Sequence, residues 1–195
     1  MTNNITCMHV CMSLSFAVQA ALNACSKLGG SVCVPAGTYI ISMPEPDKQL
    51  TPAICLAIPS DCTLHGEGAA AILQFSAEVN TQGWWRMLGP ALTPITIPTP
   101  NGSLAPNGSA HNITIRDIHL HGNTNHTHYP CFGPDGKTKL CDHNTLIMFY
   151  TLPPGTTRDI TVQRVIAEAI AGDVMSFAYG VQNLLVEDIQ IRDFL

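Results

Sequence analysis

A nine-residue pattern occurs three times in the second half of this 195-residue chain. Its copies cover 112–120, 159–167 and 183–191, and each copy begins with Asn or Asp and contains two apolar alternations joined by a polar pair. The copies start 47 residues apart (112 to 159) and 24 residues apart (159 to 183), close to two periods and one period of a single repeat. Such a period with strands this short predicts a stacked parallel β-solenoid in which one period forms one coil.

The alternation within each copy predicts which side chains point into the solenoid, because the side chains of a strand alternate between its two faces. In the first copy we expect Ile113 and Ile115 to point inward, and Thr114, His119 and His121 to point outward. A flat meander of strands would not explain the spacing of the copies.

The composition fits a turn-rich β protein. Hydrophobic residues make up 46% of the chain, with 15 Gly and 14 Pro, which supplies a core and argues against a helix bundle. The chain has 9 Lys+Arg against 14 Asp+Glu, a net charge of −5, and no basic cluster. Because binding to phosphates needs clustered Lys and Arg, we exclude nucleic acid as a partner.

An uncharged run over residues 7–25 would also suit a membrane span or a signal peptide. Polar residues interrupt it and basic flanks are missing, so we predict neither a transmembrane segment nor a signal peptide in this chain. An amphipathic helix over 16–30, ending at Gly29-Gly30, explains the run.

Two segments resemble a known family. Residues 17–42, which run from the helix through Gly29-Gly30 to Pro35-Ala36-Gly37-Thr38-Tyr39, and residues 62–68 are similar to the N-terminal part of the pectate-lyase-like superfamily. The resemblance covers 16–75, and 111–195 as a generic repeat. It implies an all-β fold, a right-handed single-stranded parallel β-helix with an N-terminal capping helix, and polysaccharide as the partner.

We expect one β-helix domain over 1–195, divided into a capping helix (16–30), first coils (31–75), an irregular surface excursion (76–110) and repeating coils (111–195). The Gly-Asp-Gly…Asp-Asp-Thr stretch that usually precedes the helix in this family is missing. The chain also stops within a repeat, at Asp193-Phe194-Leu195. We therefore expect an N-terminal fragment of a longer, polygalacturonase- or rhamnogalacturonase-related β-helix.

The cysteines and the glycosylation sequons predict an extracellular, glycosylated protein whose signal peptide lies upstream of Met1. Eight cysteines favour an oxidising compartment, and Cys131 and Cys141, which flank a Gly/Pro-rich loop, are the predicted local disulfide. The other pairings stay open. Five Asn-x-Ser/Thr sequons occur, at Asn4, Asn101, Asn107, Asn112 and Asn125; composition alone is the alternative explanation for them.

The catalytic candidates are Asp173 and Asn144. The apolar alternation that points Met175 and Phe177 inward recurs one coil earlier at Leu146 and Met148, and it predicts that Asn144 lies opposite Asp173. Asn144-Thr145 and Gly172-Asp173 also resemble parts of the Asn-Thr-Asp and Gly-Asp-Asp segments on adjacent coils of polygalacturonases. Leu146 and Val174 stand where that family has further aspartates, so a hydrolase would lack its second carboxylate. The alternative for Asp173 is a turn residue that hydrogen-bonds its own backbone.

Histidines and tryptophans supply weaker candidates. His119, His121 and His143 are the only metal-ligand candidates, but their spacing matches no zinc signature, and we predict no metal site. Trp84 and Trp85 would either stack on sugar rings or anchor a loop. The sequence requires no cofactor, although lyase chemistry would be compatible with a divalent cation.

The leading hypothesis is an extracellular, polysaccharide-active β-helix, similar to lyases or glycoside hydrolases that act on acidic, pectin-like glycans. The alternatives are a non-catalytic glycan-binding or adhesion β-helix, similar to tailspikes, and an inactive fragment. Whether the chain is an enzyme stays open. A second carboxylate or a basic residue next to Asp173 would favour an enzyme, whereas an outward face of Ser, Thr and Asn would favour binding.

Overall fold

The computed structural model describes residues 14–42, 53–76, 85–91, 108–123, 129–132, 138–141, 145–151, 155–170 and 172–193. Its helix is α1 (Leu14–Leu28), and a short 3-10 turn covers Gly68–Ala70. The strands are β1 (Gly30–Val34), β2 (Gly37–Ile41), β3 (Ala53–Ile58), β4 (Cys62–Gly66), β5 (Ala71–Phe75), β6 (Trp85–Pro90), β7 (Ala110–His121), β8 (Tyr129–Phe132), β9 (Thr138–Cys141), β10 (Thr145–Tyr150), β11 (Thr157–Glu168), β12 (Asp173–Ala178), β13 (Val181–Glu187) and β14 (Gln190–Arg192).

The strands form two parallel sheets wound into a parallel β-helix. The first sheet has the order β1-β4-β7-β11-β13, with β2 and β5 stacked below the second half of β7 and β14 beside the second half of β11. The second sheet has the order β3-β6-β10-β12, and a separate antiparallel hairpin joins β8 to β9. These parallel pairings confirm the predicted fold.

The repeated copies lie in register, as their sequence predicts. Ile160 of β11 pairs with Ile113 of β7 and with Leu184 of β13. One inward row runs from Val32 through Leu64, Ile115 and Val162 on four consecutive coils, and all four side chains are buried. Burial of such a row removes apolar surface from water on every coil, which stabilises the stack.

The interpretation of 47 residues as two periods is wrong. Strand β7 pairs directly with β11, so the 47 residues from 112 to 159 form one coil that also holds the β8–β9 hairpin and β10. The partners Gly30, Cys62, Ile113, Ile160 and Leu184 give successive coils of 32, 51, 47 and 24 residues. Stacking fixes only the paired strands, and the connections between them vary in length.

The prediction of an irregular excursion over 76–110 is wrong for residues 85–90. Strand β6 lies between β3 and β10, and its Met87 and Leu88 are fully buried. Both faces of this strand are covered, so its sequence lacks the alternation by which a half-exposed strand is recognised.

Stacked residues in the left-handed backbone region mark the start of each repeat. Asp61, Asn112, Asp159 and Asn183 have φ between 52° and 60°, a conformation that Asn and Asp tolerate better than other non-glycine residues. Asn112 Nδ2 donates to Asp61 Oδ1 and Asn183 Nδ2 donates to Asp159 Oδ1, each at 2.9 Å. The left-handed backbone at this position explains why every copy begins with Asn or Asp. Asn112, the first residue of a glycosylation sequon, therefore has a structural role in the stack.

Helix α1 covers the first coil. Val18, Leu22 and Cys25 are buried, and a disulfide joins Cys25 to Cys62 of β4. The Gln19 amide accepts a hydrogen bond from the Ala57 N–H (2.8 Å) and donates one to the Ala57 carbonyl (3.0 Å), as a neighbouring strand would. The helix thereby satisfies part of an otherwise open strand edge.

Membrane-spanning helices were not expected from the sequence. Within the ranges that the structure describes, no helix is long and apolar enough to cross a bilayer.

Candidate functional site

Polar side chains of the second sheet gather in one row near the start of its strands. Thr145 of β10 pairs with Arg86 of β6 on one side and with Asp173 of β12 on the other. Apart from this row, Ser176 is the only polar side chain described in the four strands. Adjacent strands are about 4.8 Å apart, so the row brings a guanidinium, a hydroxyl and a carboxylate within about 10 Å along the solenoid axis.

Exposure changes along this row. Arg86 and Thr145 are each 4% exposed, whereas Asp173 is exposed to solvent. A buried guanidinium is rare, and its charge acts over a longer range than a solvated charge because the surrounding dielectric is low. The row therefore has a buried guanidinium at one end and, on the outermost described strand of this sheet, an exposed carboxylate at the other.

The sequence prediction that Asn144 lies opposite Asp173 is wrong by one residue. Thr145 is the partner of Asp173, and Asn144 lies outside the described residues. The prediction aligned the apolar alternation of the two strands one position out of step. In the structure Phe149 pairs with Phe177, and their rings stack with centroids 6.1 Å apart.

A second polar cluster lies on the outward face of the first sheet. His119 and His121 share that face as predicted, with ring centroids 6.2 Å apart. His119 is 7% exposed, and its Nε2 lies 3.0 Å from Glu168 Oε2 without the alignment of a hydrogen bond. The contact is therefore electrostatic when the imidazole is protonated.

His121 stands in a row with Gln74, Glu168 and Arg192. Its Nδ1 accepts a hydrogen bond from the Asn123 N–H at 3.0 Å, which places the proton of the neutral ring on Nε2. Burial lowers the pKa of His121, and the nearby charge of Glu168 opposes that shift in part. His121 is thus a neutral hydrogen-bond donor near neutral pH.

This histidine cluster does not extend into a metal site within the described residues. No group of three His, Cys, Asp or Glu side chains there is placed to hold a metal ion. The third candidate, His143, lies outside the described residues.

Hydroxyl groups form another outward row on the first sheet. Ser31, Thr63, Thr114 and Thr161 are paired neighbours on four consecutive coils, and all four are half-buried. The parallel row that follows carries His65, Arg116 and Gln163. Hydrogen-bonding groups therefore repeat once per coil along this face.

A cluster of three charged side chains lies in the middle of the long strands β7 and β11. Arg164 binds Asp117 with both Nε and Nη2, and the Nη2–Oδ2 distance is 2.9 Å. Arg116 Nη1 also donates to Asp117 Oδ2, at 2.6 Å. The hydrogen bonds from Arg164, with those from Arg116, lower the pKa of Asp117 to about 2.

The tryptophan candidates fall at the edge of what the structure covers. Trp84 lies outside the described residues, as does the side chain of Trp85. The backbone of Trp85 begins β6 opposite Ala53.

The disulfide that the structure shows, Cys25–Cys62, was not predicted, because eight cysteines allow too many pairings without the coil register. The predicted Cys131–Cys141 bridge stays a prediction, since both side chains lie outside the described part. In the hairpin backbone Cys131 faces Lys139, and Cys141 faces Tyr129. Cys55 is buried as a small hydrophobe, and burial raises the pKa of its thiol to about 12.

Two solved structures share this architecture. The A-module of Azotobacter vinelandii mannuronan C-5 epimerase AlgE6 is 20% identical to this chain, with a TM-score of 0.66. The match covers 90% of this chain and 39% of the module. The chain has the parallel β-helix fold of these modules. The A-module of mannuronan C-5 epimerase AlgE4 from the same organism is 17% identical to this chain, with a TM-score of 0.53. The match covers 92% of this chain and 46% of the module.

These matches confirm the parallel β-helix fold that the N-terminal segments implied. This β-helix spans less than half the length of each epimerase module that it resembles. No family model and no curated protein matches its sequence.

Proposed function

We propose that this chain belongs to an extracellular polysaccharide-active protein that acts on an acidic glycan by lyase-type proton transfer, centred on the row Arg86–Thr145–Asp173. The observation that carries the proposal is the placement of a carboxylate and a buried guanidinium on one row of neighbouring coils. The two similar structures are modules of epimerases named for mannuronan, which supports a polysaccharide as the substrate.

The chemistry of an acidic glycan fits the two ends of this row. The carbon next to a uronate carboxylate loses its proton more readily when a positive charge stabilises the developing anion. Asp173 is exposed and serves as the acceptor of the proton, whereas Arg86 is buried two strands away on the same row, so its positive charge acts on the uronate at a distance and not by contact. In a lyase, the freed electron pair forms a carbon–carbon double bond, the carbon–oxygen bond to the neighbouring sugar breaks, and the leaving oxygen takes a proton from water.

Hydrolysis fits this row less well. A glycoside hydrolase uses two carboxylates that flank the bond to be cleaved. The described part of the row holds one carboxylate, and its neighbour is a threonine. We therefore prefer proton abstraction to hydrolysis.

A non-catalytic glycan-binding role is the second candidate. The row of Ser31, Thr63, Thr114 and Thr161 presents one hydroxyl per coil, and hydroxyls both donate to and accept from sugars. An outward face of Ser and Thr of this kind favours glycan binding.

An oxidising compartment is supported by the buried Cys25–Cys62 disulfide. An extracellular location also fits a polymeric substrate, because a polysaccharide is encountered outside the cell.

The test compares the wild type with Asp173→Asn on polyuronates and on a neutral glycan, with and without a divalent cation. Ultraviolet absorbance reports unsaturated uronates, and a reducing-end assay reports all chain cleavage. We expect unsaturated products only from the polyuronates, and at least a 100-fold lower rate for Asp173→Asn. Asp188→Asn is the matched control, because Asp188 is also exposed but lies outside the row.

Equal rates for Asp173→Asn and the wild type would refute the assigned site. Reducing ends without unsaturated products would refute the lyase chemistry in favour of hydrolysis. Binding of polyuronates without turnover would leave the glycan-binding alternative.

A further inference from the structure

A polar row on the outward face of the first sheet lies apart from the row of the second sheet. Gln74 of β5, His121 of β7 and Glu168 of β11 are register neighbours on three consecutive coils, and all three side chains are half-buried. At these positions each strand is paired on both of its edges: β5 with β2 and β7, β7 with β5 and β11, and β11 with β7 and β14. The partial burial of the row therefore does not arise from an uncovered end of the stack.

The neighbouring row on the same face holds a buried imidazole with unused hydrogen-bonding capacity. His119 lies between Ile72 and Ile166, and its Nε2 is shielded from solvent and makes no hydrogen bond within the described residues. Glu168 Oε2 lies 3.0 Å from this Nε2 but outside hydrogen-bond alignment. Because buried polar atoms are nearly always hydrogen-bonded, the pair indicates a place where a further polar group binds.

The ring of His121 is held in a fixed orientation. Its Nδ1 accepts a hydrogen bond from the Asn123 N–H, and Asn123 Nδ2 donates to the Phe75 carbonyl of the preceding coil at 2.9 Å. Asn123 has a φ of 55°, a left-handed conformation that Asn tolerates. With Nδ1 engaged, the neutral ring carries its proton on Nε2 and presents one preorganised donor, which reduces the entropy lost when a ligand binds.

The row carries the hydrogen-bonding groups that sugar hydroxyls require. The Gln74 amide both donates and accepts, the His121 imidazole donates, and the Glu168 carboxylate accepts. Half-buried Ile72, in the neighbouring row, adds apolar surface for the C–H groups of a sugar ring. The negative charge of Glu168 repels a uronate carboxylate at short range, so these groups fit a neutral sugar better than an acidic one.

We propose that Gln74, His121 and Glu168 form a second glycan-binding site, which takes a neutral sugar unit. His121 Nε2–H donates to one sugar hydroxyl, and the Glu168 carboxylate accepts a hydrogen bond from another. The site lies on a different sheet from the row that contains Asp173, and it does not require that row to be catalytic. It therefore goes beyond the proposed function.

The test is isothermal titration calorimetry with xylotetraose, cellotetraose and galactotetraose, and with a tetrauronate for comparison. We expect a neutral tetrasaccharide to bind more tightly than the tetrauronate, and His121→Ala and Glu168→Gln each to raise its Kd about 5- to 20-fold. Glu168→Gln keeps the shape of the side chain, so it decides the question if His121→Ala does not fold. His65→Ala is the matched control, because His65 is another half-buried histidine of the same sheet, and it should leave the Kd unchanged, as should Asp173→Asn.

Equal affinity of the wild type, His121→Ala and Glu168→Gln for the neutral tetrasaccharides would overturn the second site, as would a failure of all three sugars to bind. Loss of affinity in His65→Ala but not in His121→Ala would move the binding to the neighbouring hydroxyl row. Tighter binding of the tetrauronate would contradict the neutral ligand. Cleavage of polyuronates is measured separately, so either proposal can fail while the other stands.

Discussion

Replacing Cys25 and Cys62 together with alanine removes the covalent bond between helix α1 and strand β4. The bond restricts the unfolded chain by closing a loop, and the loss of entropy grows with the logarithm of loop length. For the sequence separation of 37 residues, chain entropy at 25 °C gives a stabilisation of about 4 kcal/mol. For a chain of this size that corresponds to a fall in Tm of about 8–16 °C.

The measurement is urea and thermal unfolding of the wild type and the double variant, followed by circular dichroism without reductant. Cys55→Ala is the control, since it removes a buried thiol that forms no disulfide, and we expect it to lower stability by about 1 kcal/mol or less. A double variant within 1 kcal/mol of the wild type would refute the reasoning that the bond restrains the unfolded chain.

Three further changes test the coil contacts. Gln19→Leu leaves the Ala57 N–H and carbonyl without partners and should lower the free energy of unfolding by about 2–4 kcal/mol, with faster exchange of the Ala57 amide. Asp117→Asn should lower stability by about 1 kcal/mol at pH 6, after allowance for solvent screening, and this difference should shrink as the pH falls below about 4 and vanish only below the folded pKa of about 2. Gly180→Ala should lower the unfolding free energy by about 2–3 kcal/mol, because its Cβ would lie 2.8 Å from Thr151 Oγ1 on the preceding coil, against about 1 kcal/mol for Gly68→Ala, which has a similar φ of +74° and open space around it.

Each of these changes has an outcome that contradicts its reasoning. For Gln19→Leu it is a loss below about 0.5 kcal/mol, the effect expected of a surface residue. For Asp117→Asn it is a stability difference that is as large at pH 2 as at pH 6. For the glycine pair it is equal losses, which would show that the contact with the preceding coil has no effect.

Local signals predicted most of the fold. The Asn or Asp at the start of each copy could be predicted because the left-handed backbone there favours these residues. The alternation of Ile113 and Ile115 could be predicted because one face of the strand is buried. Strand β6 could not be predicted from the sequence, because it is buried on both faces and ends in Gly89-Pro90. Its assignment required the neighbouring strands.

The candidate site was harder to predict because it depends on register between coils. Asp173 was found from its position at the start of a strand, but its neighbour Thr145 was missed by one residue. Arg86 belongs to a coil whose strand was not predicted, so its place in the row could not be derived. The Cys25–Cys62 disulfide could not be predicted either, because it also depends on the register between coils.

The unequal coils also show where this molecule accepts new sequence. Doubling the length of a connection raises its closure free energy by only about 0.6 kcal/mol, so a coil of 47 residues closes almost as easily as one of 24. A peptide grafted between β7 and β10 would leave the pairing of β7 with β11 unchanged. Evolution and protein engineering can therefore vary the loops at that corner independently of the framework that supports them.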